Sequence, residues 1–205
     1  MTVSRRLFTQ ASIGAGALMA VHPNLNAASA KLIERTIPVS GESIPVIGVG
    51  TNRYGVGDDK EARATLKQAL SKFHELGGTV IDTAPSYGSS EIVLGELISD
   101  LGIQKDLFLA SKVDSRNLSQ NTQRFNASLK RFSTEKFDLM QVHNFKDWEN
   151  SLALLKERKA AGEIRYLGMT THMTSQYELM EKALREHELY FIQVNLSLAN
   201  QRSSS

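Results

Sequence analysis

No cysteine occurs anywhere in the chain. Disulfides, thiol catalysis and zinc–thiolate sites are therefore excluded together, and no other metal-ligand set is read. The absence suits an oxidising compartment without requiring one. A basic surplus is missing too. Setting aside residues 1–30, which read as a targeting segment, removes Arg5 and Arg6 and takes the 24 basic residues to 22, equal to the 22 acidic ones. A formally neutral chain without basic runs offers no electrostatic footprint for nucleic acid and no polybasic membrane patch. The apolar stretch from Ala11 to Val21 is too short to span a bilayer as a helix. No linker or low-complexity tract divides residues 31–205, which are expected to form one domain.

What is present begins with an address. Ser4-Arg5-Arg6-Leu7-Phe8 sets a twin arginine two residues ahead of a Phe, and the Gly- and Ala-rich apolar stretch follows it. Ala28-Ser29-Ala30 then supplies the small residues a signal peptidase reads, so a mature chain starting at Lys31 is expected. Such a pattern is read by a receptor and is not an anchor. It predicts passage through twin-arginine export machinery to the periplasm, with no membrane anchor.

Beyond Lys31 the hydrophobic pattern alternates. Thr36–Val39 and Ser43–Val46 around Ser40-Gly41-Glu42 read as a hairpin, whose two prolines argue for an edge position. Val46–Thr51 reads as a first buried strand. Asp58 or Asp59 can cap a helix with the apolar stripe Ala62, Leu66, Ala69, Leu70, Phe73 and Leu76, ending at Gly77-Gly78. Strands at 79–81, 107–110, 137–142, 166–169 and 190–194 follow, with helices at 91–100, 119–131, 150–161 and 175–186 between them. A strand roughly every 25 to 32 residues with a helix in each gap means βαβ units and a parallel sheet. Either a (β/α)₈ barrel or a doubly wound sheet meets that description. A dinucleotide fingerprint would need a third glycine after Gly48 and Gly50, but Arg53 stands there and no helix opens at once, which favours the barrel. Six strands are counted, whereas a full barrel has eight βα units and about 250 residues. The expectation is a TIM-barrel-type fold shortened to about six units, with two open edges. Such a chain is a piece of a longer protein or has its flank covered by association.

Catalytic groups in such barrels come from the carboxyl ends of the strands. Asp82 ends the second strand with Tyr87 in the following loop, Lys112 ends the third, and His143 ends the fourth. Singly, each has a plainer reading. Asp82 could cap the turn before Pro85, Lys112 and Asp114 could be a solvated surface pair, Tyr87 could be packing, and His143 a satisfied core histidine. Together, at successive strand ends, they predict a site. His22, His74 and His187 lack such company and read as structural or solvated.

Ile81-Asp82-Thr83-Ala84-Pro85-Ser86-Tyr87-Gly88-Ser89-Ser90-Glu91 resembles the aldo-keto reductase motif, and Ser111-Lys112 and Val142-His143 resemble that family's lysine and histidine segments in the same order. The resemblance implies an NAD(P)H-dependent oxidoreductase that reduces a small aldehyde or ketone by hydride transfer. Tyr87 would be the general acid, Lys112 its activator, Asp82 the partner of Lys112, and His143 a second hydrogen-bond donor to the carbonyl. The residue types suit that task, because charge develops on a carbonyl oxygen that must be protonated, and an ammonium lowers a phenol's pKa. Gly50 and Thr51 resemble the family's first cofactor contact, and Gln193 its sixth-strand amide contact. Thr170-Thr171-His172 stands where the family shows Ser-Asn. NADPH is the cofactor the resemblance implies, with NADH not excluded, because the family's nicotinamide-stacking aromatic and phosphate-reading loop lie beyond the sixth strand. Nothing in the sequence sets an oligomeric state. A cofactor-binding scaffold, or a catalytically inert fragment, on the same fold is the competing expectation.

Overall fold

The computed structural model describes residues 32–201; the targeting segment expected over residues 1–30 lies outside them. Strands β1 (Glu34–Thr36) and β2 (Ser43–Pro45) form an antiparallel hairpin with Arg35 opposite Ile44. Strands β3 (Val49–Gly50), β4 (Val80–Asp82), β5 (Phe108–Val113), β6 (Phe137–His143), β7 (Ile164–Thr170) and β8 (Phe191–Gln193) then lie side by side in chain order, every neighbouring pair parallel. Helices α1 (Lys60–Glu75), α2 (Ser90–Leu101), α3 (Leu118–Arg131), α4 (Trp148–Ala160) and α5 (Tyr177–Glu186) fill the five gaps. Strict sequential order belongs to a (β/α)₈ barrel, since a doubly wound sheet reverses at a switch point. The sheet is six strands of that curl. Among the described residues β3 and β8 each pair on one side only.

The period of two along each strand sorts side chains between the layers. Ile81, Leu109, Val113, Met140, Val142, Leu167 and Met169 face the helices and join the main core with Leu94, Ile98, Phe125 and Leu155. Alternate residues Phe108, Ala110, Leu139 and Tyr166 fill the inside of the curl together with Ile37 of the hairpin turn. Following the same alternation to the carboxyl ends puts Asp82, Lys112, Gln141, His143, Thr170 and Gln193 on the inner face. The hairpin closes the opposite end: the Tyr166 hydroxyl donates to Glu42 Oε2 at 2.6 Å and shares a hydrogen bond with the Ser40 hydroxyl at 2.7 Å, and Arg165 pairs with Glu42 and Asp138.

Three details differ from the sequence expectation. The first hairpin strand starts and stops earlier and the second stops one residue sooner, because Ile37 leaves the ladder to enter the inner core while Gly41, at φ +75°, carries the turn. Only Val49–Gly50 pair with β4, and Ile47 is 72% exposed, as an edge strand has one partner to hold it. On α1, capped by Asp59 Oδ1 at 3.0 Å from the Ala62 N–H, Leu70 alone is fully buried, while Ala69 and Leu76 are exposed. This helix flanks the sheet's edge and packs on one neighbouring helix, α2.

Helix α2 is buried along most of its length and stops at Gly102, which takes the left-handed conformation at φ +67°. At Gly95 it meets the end of α3 so closely that a Cβ would overlap the Arg131 carbonyl oxygen. Gly95→Ala forces two backbones apart and is expected to destabilise the fold by about 1–3 kcal/mol or more. Urea unfolding at neutral pH measures this, and an unchanged midpoint would contradict the close approach.

Candidate active site

Asp82 is the hub of the polar residues on the inner face. Its Oδ2 accepts from Lys112 Nζ at 2.6 Å, and Lys112 Nζ also donates to the Thr83 carbonyl at 2.7 Å. Its Oδ1 accepts from Gln141 Nε2 at 3.0 Å and Gln193 Nε2 at 3.2 Å. Lys112 is only 2% exposed. Its ammonium lies 5.2 Å from the centroid of the Tyr87 ring, within cation–π range. Tyr87 in turn meets the His143 ring edge-on at 6.1 Å between centroids. The four residues singled out in the sequence thus converge on one mouth of the curl.

The electrostatics differ from the sequence expectation at the phenol. Burial pushes the Tyr87 pKa up, and the charges of Asp82 and Asp114 push it the same way. Lys112 does not bring it down in this arrangement. The ammonium faces the ring, and two of its three N–H donors are committed to Asp82 and Thr83. Burial lowers the pKa of Lys112, against the opposing pull of Asp82, Glu91 and Asp114. A raised phenol keeps its proton at neutral pH, as a proton donor must.

Several polar residues of the site were not singled out in the sequence. Asp114, named in the sequence only in the plainer alternative of a solvated pair with Lys112, has a side chain with no exposed surface and an ion pair with Arg124. Gln141 sits mid-strand in a run of apolar residues, which was the available signal, since an amide there needs a polar partner. Glu91 is buried, accepting from Ser111 Oγ at 2.7 Å, Ser128 Oγ at 2.8 Å and Arg131 at 2.6 Å. The loop after His143 holds Asn144, Phe145 and Asp147 at positive φ, between 44° and 55°. Each such non-glycine residue costs of order 1–3 kcal/mol and is commonest at functional sites. Asn144 is tied into place by its N–H, 2.8 Å from the Thr170 carbonyl, and by its Oδ1, 3.0 Å from His172 Nδ1.

A cleft of about 900 Å³ opens from Tyr87, Lys112 and His143 along Asn144, Thr170, Thr171, His172 and the segment from Ile192 to Leu196. The residues expected to meet a cofactor divide in two. Thr170 and Gln193 line this cleft, and Gly50 leaves open space where a Cβ would stand. Thr51 instead donates its hydroxyl to the Asp82 carbonyl at 2.9 Å, and Thr171, though it lines the cleft, donates its own to Gln176 Oε1 at 2.6 Å. Both hydroxyls therefore brace loops. Thr170 and Gln193 bring polar groups to the cleft beside Tyr87, Lys112 and His143, the kind of donors and acceptors a nicotinamide carboxamide needs. Among the described residues no cluster of His, Asp or Glu is arranged to hold a metal ion, and no helix is long and apolar enough to cross a membrane.

The aldo/keto reductase family profile matches residues 46–205, which include every residue of this constellation. The chain belongs to the aldo/keto reductase family. It is 35% identical to methylglyoxal reductase YeaE of Escherichia coli K12 over 145 residues, covering 67% of this chain and 49% of that protein. Aldo-keto reductase YhdN of Bacillus subtilis 168 is 29% identical over 160 residues, covering 69% and 46%. The chain therefore spans about half the length of the curated relatives it matches. A Klebsiella pneumoniae aldo-keto reductase crystallised with NADPH superimposes with a TM-score of 0.62 at 25% identity, over 74% of this chain and 54% of that one. A thermostable aldo-keto reductase crystallised with the inhibitor epalrestat gives 0.71 at 27% identity, over 84% and 66%.

Asp114 gives this aldo/keto reductase an acid-sensitive element. Burial alone would raise its pKa, but the His143 and Ser86 side chains facing the carboxylate, and its ion pair with Arg124, favour the ionised form and hold it well below its ordinary value of 3.8. Between those two values the unfolded chain binds the extra proton, so stability rises with pH across the window and is lost as pH falls below about 4. Asp114→Asn should therefore lower the urea midpoint most at pH 5 to 7, with the deficit shrinking towards pH 3. Equal deficits at pH 6 and pH 3 would show that the ionised form is not what stabilises.

Proposed function

We propose that the protein reduces small aldehydes or ketones to alcohols with a nicotinamide cofactor, Tyr87 acting as the general acid. The observation that carries this reading is the Lys112 ammonium, buried between Asp82 and the ring of Tyr87 at the head of an open cleft. A bound nicotinamide cofactor supplies hydride. As the carbonyl carbon gains that bond, the C=O electron pair moves onto oxygen, and the Tyr87 hydroxyl gives its proton to the forming alkoxide. The phenolate left behind has the Lys112 ammonium, held in place by Asp82, as its neighbouring opposite charge, and Lys112 stabilises it once the phenolic oxygen turns from its resting position towards Nζ. His143, across the ring of Tyr87, lends the carbonyl oxygen a second hydrogen bond and orients it.

NADPH is the cofactor proposed, supported by the NADPH-bound Klebsiella relative; Thr170, Gln193 and the open face at Gly50 are the groups that would hold it. No residue named here distinguishes it from NADH. The E. coli relative's name makes methylglyoxal a sensible member of any substrate panel. Export by the twin-arginine route is proposed on the sequence of residues 4–8 and 28–30.

With a panel of small aldehydes, the protein should oxidise NADPH, and Tyr87→Phe should lower kcat by about 10²- to 10⁴-fold, the usual contribution of a positioned acid. Normal turnover by Tyr87→Phe would remove the mechanism, whereas cofactor binding without turnover of any carbonyl would favour the scaffold reading. For localisation, Arg5→Lys with Arg6→Lys should shift the protein from the periplasmic to the cytoplasmic fraction. Unchanged fractionation would dispose of the export route.

A further inference from the structure

Asp114 lies one residue past the end of β5, its side chain wholly buried. Its Oδ1 is held by Arg124 from α3. Its Oδ2 has no hydrogen-bond partner among the described residues, an unfavourable state for a buried carboxylate oxygen. His143 Nδ1 stands 4.0 Å away and is likewise buried without a partner. One of these atoms can only accept and the other can donate. They are two halves of one hydrogen bond, about 1 Å short of closure. The mechanism above uses neither atom.

We propose that Asp114 is the positioning residue of His143: its Oδ2 accepts a hydrogen bond from Nδ1–H, which fixes the ring's tautomer and plane and leaves Nε2 to face the cleft. The part Nε2 plays toward a carbonyl rests on the reductase reading, but the bond itself does not. Its chemical consequence is specific. In the neutral ring Nδ1 holds the only proton, so Nε2 is then an acceptor. His143 can donate to a carbonyl oxygen only as the imidazolium, and Asp114 is the buried negative charge that faces this cation. A carboxylate or amide that holds the far nitrogen of a functional imidazole is a recurrent device for fixing its tautomer.

The ring nitrogens report this directly. In protein labelled with ¹⁵N-histidine, at a pH where imidazoles are neutral, the His143 resonances are identified by their loss in His143→Gln. The expected result is the Nδ1–H tautomer in the wild type and its loss in Asp114→Ala. In the aldehyde assay Asp114→Ala should lower kcat about 10- to 100-fold with KM changed much less, the range typical when the outer partner of an oriented histidine is removed. Asp114→Glu should restore part of both the tautomer and kcat. A wild-type ring protonated at Nε2 overturns the proposal even if Asp114→Ala does not fold, and so does an unaltered tautomer in that variant. If the wild type turns over no carbonyl, the ring measurement still decides the bond, and only the reductase reading falls.

Discussion

A lysine ammonium withdrawn from water is several kcal/mol out of balance unless an opposite charge and further acceptors meet it. At Lys112 both are present: the Asp82 carboxylate and the Thr83 carbonyl, each within 2.7 Å. The carboxylate must itself be held, and two amides from β6 and β8 hold it. The strand carrying the lysine is clamped from its other face as well. Ser111, next in sequence and so pointing outward, donates to Glu91 at the start of α2, which Arg131 at the end of α3 also grips. One buried cation thus organises the inner polar layer, while a second buried carboxylate registers the helices behind it.

Why so much of this was legible in the sequence is a matter of periodicity. The 3.6- and 2-residue patterns name elements without tertiary knowledge, and parallel strands joined by helices leave few topologies to choose among. Asp82, Lys112 and His143 were visible because ionisable residues in the last positions of buried strands break the apolar rule. Asp114 was not singled out for a related reason. One residue past a strand, a charge near another charge looks like surface, and only the fold brings Arg124 and His143 over it. The limits of β3 and of the hairpin depend on which neighbours pair with them, which no local pattern carries.

The site also gathers what the rest of the fold avoids. Buried Lys112 on β5 and Gln141 on β6, three left-handed non-glycine residues in the four after His143, and facing polar atoms without a closed bond all lie at one mouth. The opposite end is closed by a hairpin whose tyrosine and arginine contacts are satisfied. Local rules are broken where chemistry needs them broken and kept where the structure must be stable.

The Gln193 to Asp82 hydrogen bond joins β8 to β4, strands with three others between them in the sheet. It is a chord across the arc rather than a rung of the ladder. Its length therefore gauges how tightly the arc is bent. Flattening the sheet would stretch this chord and withdraw one of the carboxylate's two amide donors, so the radius of curvature and the poise of the buried ion pair are mechanically one degree of freedom.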